Sequence, residues 1–197
     1  LLPLLLLLIS PFLIIIFRIW RPRFAYYWLI GTFAALFAWL GILILQPSLP
    51  ASLPMGVWRP VEIFPISPQL SIDAPSWLFA LAAVTILLAV NLTGIASASS
   101  ENETSPSWMS LAGGAGITGL SLLVMFSANI LTILLAWVFL DIVEFMIYLS
   151  LAKDRQESER VVIKFSTRSA GMLIGVYAGI NASIQGMPLT LNELTPL

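Results

Sequence analysis

Apolar residues occupy most of this chain in six long runs, which short polar or proline-rich stretches separate. Each run has about 20 residues, the length that an α-helix needs to cross the hydrocarbon core of a bilayer. The tail, 182–197, is too polar and too short to cross. The pattern therefore predicts an all-α integral membrane protein with a single membrane domain over residues 1–197 and six transmembrane helices: 2–20, 24–46, 76–98, 108–127, 129–152 and 159–181.

The connection between the second and third segments has a different pattern. Residues 47–75 are rich in proline, and the piece 57–73 alternates apolar and polar residues. Alternation with a period of two favours strands over a helix, and proline interrupts both. This loop is therefore expected to be irregular or to contain a short β-hairpin, and a plain surface loop fits the pattern about equally well.

Two acidic residues stand near the middle of the fifth segment, Asp141 and Glu144. A carboxylate at the centre of a bilayer costs at least about 2.5 kcal/mol on insertion scales, so an acid at this depth is a candidate for function. The two acids are spaced i, i+3 and therefore share one face of a helix.

The sixth segment is the amphipathic one, and its first turns carry Lys164 and Arg168. A short loop joins it to the fifth segment, so the two helices are expected to be antiparallel neighbours. With a rise of about 1.5 Å per residue, Arg168 should lie near the level of Glu144. The longer stem of Lys164 can reach inward or return to the interface.

This cluster has two interpretations. Burial favours the neutral form of an acid and a neighbouring cation favours the charged form, so an acid under both influences can change protonation when its partner moves. That property suits a proton relay. A static buried ion pair that fixes helix packing fits the same residues equally well. Tyr148, one turn beyond Glu144, is a candidate for the path or an interfacial anchor.

Composition narrows the function further. The chain is 59% hydrophobic and 10% charged with a net charge of -1, and it has no basic patch that would indicate nucleic-acid binding. It contains neither cysteine nor histidine, which removes disulfides, imidazole metal sites and histidine-ligated haem. The sequence also has no cofactor or nucleotide motif. We therefore expect no metal, no cofactor and no catalytic redox site, and lipid as one partner.

Lysine and arginine predict the orientation in the membrane. The first loop has Arg18, Arg21 and Arg23, and the fifth has Lys153, Arg155 and Arg160, whereas the second has only Arg59. Cytoplasmic loops carry the excess of basic residues. Loops 1, 3 and 5 are therefore predicted to be cytoplasmic, with the N-terminus outside.

Residues 107–180 resemble the antiporter-like, proton-translocating membrane subunits of respiratory complex I and their relatives in Mrp antiporters and membrane-bound hydrogenases. In WVFLDIVEFMIY, Asp141 stands at the position of the family's acid and Tyr148 at that of its tyrosine. In ERVVIKF, Lys164 and Phe165 match the start of the family's sixth helix. The stretch from Ser71 to Ser97 resembles the third helix more loosely. Aspartate replaces the usual glutamate, and Glu144 is an added acid one turn away.

The resemblance implies a membrane subunit of a complex I-type NADH:quinone oxidoreductase or a related redox-driven proton pump, assembled with other membrane subunits. The expected location is a bacterial plasma membrane or a mitochondrial or thylakoid-type energy-converting membrane. The resemblance also implies that the charged cluster contributes part of a proton path, through Asp141, Glu144, Lys164, Arg168 and Tyr148.

One departure from the family leaves an alternative open. The sequence stops before the family's seventh helix, which normally supplies the lysine that pairs with the acid. Either a segment of a longer protein or a shortened subunit fits this departure. The alternative function is a degenerate antiporter-like subunit that acts only as a structural scaffold in a large membrane complex.

Overall fold

The computed structural model describes residues 2–20, 24–56, 66–98, 108–152 and 154–187. These residues form six helices: α1 (Leu2–Trp20), α2 (Phe24–Leu45), α3 (Ala74–Ala98), α4 (Trp108–Met125), α5 (Ile130–Leu151) and α6 (Arg155–Ile184). Two short strands, β1 (Ala51–Pro54) and β2 (Gln69–Ile72), lie between α2 and α3. The predicted class, an all-α membrane protein with a short hairpin between the second and third helices, is confirmed.

Helices α1 to α5 are each long and apolar enough to cross a membrane. Helix α6 is the longest helix of the described ranges, with 30 residues, but charged and polar side chains lower its hydropathy below that of the other five. The sixth crossing therefore stays a prediction. By contacts between residues, the chain divides into two compact units.

The first unit comprises residues 1–49 and 74–122, so it contains α1, α2, α3 and most of α4. Tryptophan N–H groups connect α2 to α3 at three levels. The indole nitrogen of Trp28 donates to the carbonyl of Asn91 at 2.7 Å, that of Trp39 to the hydroxyl of Thr85 at 3.0 Å, and that of Trp77 to the carbonyl of Ile42 at 2.7 Å. Because a buried polar group must be paired in a low-dielectric environment, these bonds fix the two helices against each other.

Close backbone approach holds α1 in the same unit. A Cβ atom on Gly41 would lie 2.7 Å from Cγ of Pro3, and one on Gly119 would lie 3.1 Å from Cβ of Leu7. Leu7 itself is completely buried. Small residues at such contacts let membrane helices approach closely.

The second unit comprises residues 50–73 and 123–197, with the hairpin, α5 and α6. Strand β1 pairs antiparallel with β2, so that Leu53 lies opposite Leu70. Strand β2 lies in the stretch predicted to alternate, 57–73, but β1 precedes that stretch, and residues 57–65 are outside the described ranges. The strand partner β1 therefore comes from the proline-rich part of the connection that precedes the alternating stretch.

The hairpin is bonded to the start of α5. Asn129 is the N-cap: its side-chain oxygen accepts from the backbone N–H of Thr132 at 2.9 Å, and its amide donates to the carbonyl of Ser67 at 2.9 Å. The hydroxyl of Thr132 accepts from the backbone N–H of Gln69 at 2.9 Å. These bonds satisfy N–H groups that a helix end leaves unpaired. They also fix where α5 begins, and hence the depth of its acids.

Helix α6 begins at Arg155, one turn before the predicted start at 159. The reason is Asp154, whose carboxylate accepts from the backbone N–H of Glu157 at 2.7 Å and caps the helix. Aspartate is among the strongest N-cap residues. The predicted start at Ser158 and Glu159 therefore lies inside the first turns of the helix.

Candidate functional site

The candidate site lies where α5 and α6 pack against each other in the second unit. The rings of Phe145 and Phe165 are in contact, with their centroids 4.4 Å apart. Further along α6, a Cβ atom on Gly175 would lie 3.5 Å from Leu134, and Gly179 is buried. Small residues at one end and aromatic rings at the other bring the two charged faces together.

Four of the predicted residues form one ion-pair cluster. One terminal nitrogen of Arg168 contacts Oδ1 of Asp141, and the other donates to Oε2 of Glu144. Lys164 Nζ donates to Oε1 of Glu144 at 3.0 Å. Arg168 therefore bridges both acids, and Glu144 is held by two cations. The Lys164 side chain therefore points inward to the acid. The sequence alone left open whether it would do so or would return to the membrane interface.

Exposure differs strongly among these four side chains. Asp141 is 4% exposed, Glu144 18%, Arg168 32% and Lys164 57%. Asp141 forms an ion pair with Arg168, and the side chain of Trp137, one turn earlier on α5, is a second hydrogen-bonding neighbour of its carboxylate. A buried carboxylate depends on such partners for its stability, and Arg168 is the cation among them.

Tyr148 joins the cluster through its ring. The Lys164 ammonium lies 4.7 Å from the centroid of that ring, a distance at which a cation is attracted to the aromatic face. Sequence reasoning considered the tyrosine hydroxyl for a path and missed the contact with the ring. Tyr148 and Lys164 are 16 residues apart, on two different helices. That spacing does not predict their contact unless the packing of the two helices is known.

A small, half-open pocket adjoins the cluster. It is lined by the five predicted site residues together with Phe145, Val161 and Phe165. The pocket has room for about one water molecule. Within the described ranges, no three histidine, cysteine, aspartate or glutamate side chains are arranged to bind a metal ion. The pocket therefore has room for water beside acids and bases.

Comparison with known proteins gives a likeness in fold. No family model matches the chain, and no curated protein matches it. The chain is similar to a chain in the solved structure of the membrane-bound sulfane sulfur reductase, an archaeal respiratory membrane complex, with a TM-score of 0.71 and 21% sequence identity. The match covers 98% of this chain and 29% of that chain. Nearly the whole of this chain therefore shares its fold with less than one third of the longer chain.

Proposed function

We propose that this chain is a membrane subunit of a redox-driven respiratory complex that translocates protons, and that its charged cluster contributes part of the proton path. The observation that carries the proposal is the contact of Asp141 and Glu144, on an apolar helix of membrane-spanning length, with Arg168 and Lys164 on the next helix. The likeness in fold to a chain of a respiratory membrane complex supports it.

The contacts favour a proton over a metal cation as the transported ion. Both acids contact cationic N–H groups on α6, which are hydrogen-bond donors and not metal ions. An acid in contact with a cation stays charged, and it takes up a proton when the cation moves away.

A scaffold role is the second candidate, and one observation favours it. The cluster contains two acids and two bases, so its formal charges sum to zero and it can hold α5 to α6 without ever changing protonation. Buried ion pairs of this kind are retained in some proteins for specificity of packing. This candidate predicts loss of assembly without loss of transport per assembled complex.

The test uses the full chain in its native complex, in inverted membrane vesicles. Proton uptake is followed by a pH-sensitive dye and divided by the rate of electron transfer, and co-purification of the other subunits measures assembly. In the double variant Asp141→Asn with Glu144→Gln, we expect proton uptake per electron to fall while the complex still assembles. Unchanged uptake would contradict the proposed path.

Two further variants complete this experiment. Removing both acids leaves the positive charges of Arg168 and Lys164 without partners, and the double variant can fail to assemble for that reason alone. A fourfold variant, in which Arg168 and Lys164 are also replaced by glutamine, keeps the cluster neutral. The matched control is Arg155→Gln with Glu159→Gln, an exposed pair outside the cluster. The control should leave uptake unchanged. Assembly loss in the double variant with normal uptake in the fourfold variant would favour the scaffold.

A further inference from the structure

We infer that the members of the cluster have different tasks: Glu144 exchanges its proton with water, Lys164 is the mobile cation that controls this exchange, and Arg168 is a fixed cation that holds Asp141. The inference rests on the proposed function and assigns a direction to it. It follows from the contacts and exposures of the four side chains, which differ in a way that residue types and spacing do not reveal.

The two acids differ in the exposed fraction of their side chains. The side chain of Glu144 is 18% exposed and that of Asp141 is 4% exposed, although both line the same pocket. Three residues of helix separate them, which corresponds to about 4.5 Å along the axis. A proton from solvent therefore reaches Glu144 first, and Asp141 is the inner group.

The two cations differ in how firmly they are held. Arg168 uses both terminal nitrogens, one on each acid, so its departure would leave two carboxylates without it. Lys164 has one acid partner, and its second contact is the ring of Tyr148. A cation over an aromatic face is attracted without a fixed direction of hydrogen bonding. Lys164 can therefore leave Glu144 while it stays over Tyr148.

The resulting step conserves protons and charge. When Lys164 moves onto Tyr148, Glu144 keeps only one terminal nitrogen of Arg168, whose other terminal nitrogen is on Asp141. A hydronium ion from the water in the pocket then gives its proton to the Glu144 carboxylate, which leaves a neutral Glu144 and a water molecule. Transfer of that proton to Asp141 makes Asp141 neutral and returns Glu144 to the carboxylate. Lys164 then pairs with Glu144 again, which closes the route back to water.

The test measures access to each acid, so its outcome does not depend on transport. The purified complex in nanodiscs is treated with a water-soluble carbodiimide, and the modified carboxyl is located by mass spectrometry. We expect modification at Glu144 and little at Asp141. Lys164→Gln should increase modification of Glu144 several-fold, because it removes the mobile cation. Arg155→Gln, which removes an exposed cation elsewhere on α6, should not change it.

Three outcomes would overturn the inference: equal modification of the two acids, modification of Asp141 alone, or no effect of Lys164→Gln. Arg168→Gln is a second variant. We expect the carbodiimide to modify Asp141 in it, because the cation that contacts Asp141 is lost. If the labelling pattern is as expected but neither acid affects proton uptake, the order of access stands and the proposed function fails. If uptake depends on both acids but labelling does not distinguish them, only the present inference fails.

Discussion

Arg168 is the residue on which both acids depend, because it contacts Asp141 and Glu144 at once and is two-thirds buried. Removing one partner from a buried ion pair leaves an uncompensated charge and typically costs about 3–5 kcal/mol. Lys164 is more than half exposed, and pairs of that kind contribute about 0–1 kcal/mol. Arg168 is therefore expected to contribute more to the free energy of unfolding than Lys164, although both contact Glu144.

This difference gives a prediction. Arg168→Gln should lower the thermal unfolding midpoint of the purified complex clearly more than Lys164→Gln, because it leaves the deeply buried Asp141 without its cation. The measurement is the loss of intrinsic tryptophan signal on heating in detergent. Arg155→Gln, on a side chain 93% exposed, is the matched control and should leave the midpoint unchanged. If Arg168→Gln and Lys164→Gln lower the midpoint equally, burial does not determine how much each ion pair contributes to stability.

At the residue scale, the sequence predicted which charges meet but not how they share partners. Spacing of i, i+3 on one helix and i, i+4 on the next brings two acids and two bases to facing surfaces, and the structure pairs them. Whether Lys164 turns toward the acid or the interface depends on its rotamer, which spacing does not fix. Its contact with the Tyr148 ring depends on the same rotamer and was missed for the same reason.

At the scale of elements, the start of α5 is the feature that sets the depth of the site. Asn129 is 1% exposed and bonds both to Thr132 and to Ser67 of the hairpin segment. Asp154 caps α6 from an exposed position. Loss of an N-cap typically costs about 0.5–2 kcal/mol, and a buried acceptor left without its donor costs about 1–3 kcal/mol more.

We therefore predict that Asn129→Ala destabilises the chain more than Asp154→Ala does. The first variant loses the cap and the bond to the hairpin, whereas the second loses only an exposed cap. Chemical unfolding of the purified protein in detergent measures the difference. Asn129→Asp is the matched control for the cap, because it retains the accepting oxygen and loses the amide donor. A larger effect at Asp154 would contradict the role of the hairpin in positioning α5.

The same elements show what the hydrophobic pattern can establish. Long apolar runs place each of the helices α1 to α5 to within a few residues, because membrane-spanning length and hydropathy constrain both ends. The start of α6 depends on which of several polar residues caps it, and the pattern of apolar residues carries no information on that choice. Strand β1 is four residues long, and its pairing with β2 depends on contacts distant in sequence.

At the scale of the whole molecule, the orientation in the membrane decides from which side protons would reach Glu144. Helix α6 starts at Arg155, so Arg155 and Arg160 lie in its first turns and not in a loop. They remain within the distance from a membrane segment at which basic residues influence orientation. The cytoplasmic position of the α5–α6 connection stays a prediction, and it would place Lys164 toward the cytoplasm.

This orientation can be tested directly, because the chain contains no cysteine and a single introduced one is its only thiol. Ser52 and Gln156 are both exposed, and the three helices α3, α4 and α5 separate them along the chain. An odd number of crossings places them on opposite sides. In right-side-out vesicles, we expect a membrane-impermeant maleimide to label Ser52→Cys, and to label Gln156→Cys only after permeabilisation. Inverted vesicles should give the reverse, since the same two positions exchange sides. Labelling of both positions from the same side would contradict the three crossings. If instead Gln156→Cys is labelled in right-side-out vesicles and Ser52→Cys only after permeabilisation, the Lys164 end of the cluster lies outside. Protons would then enter from the opposite face.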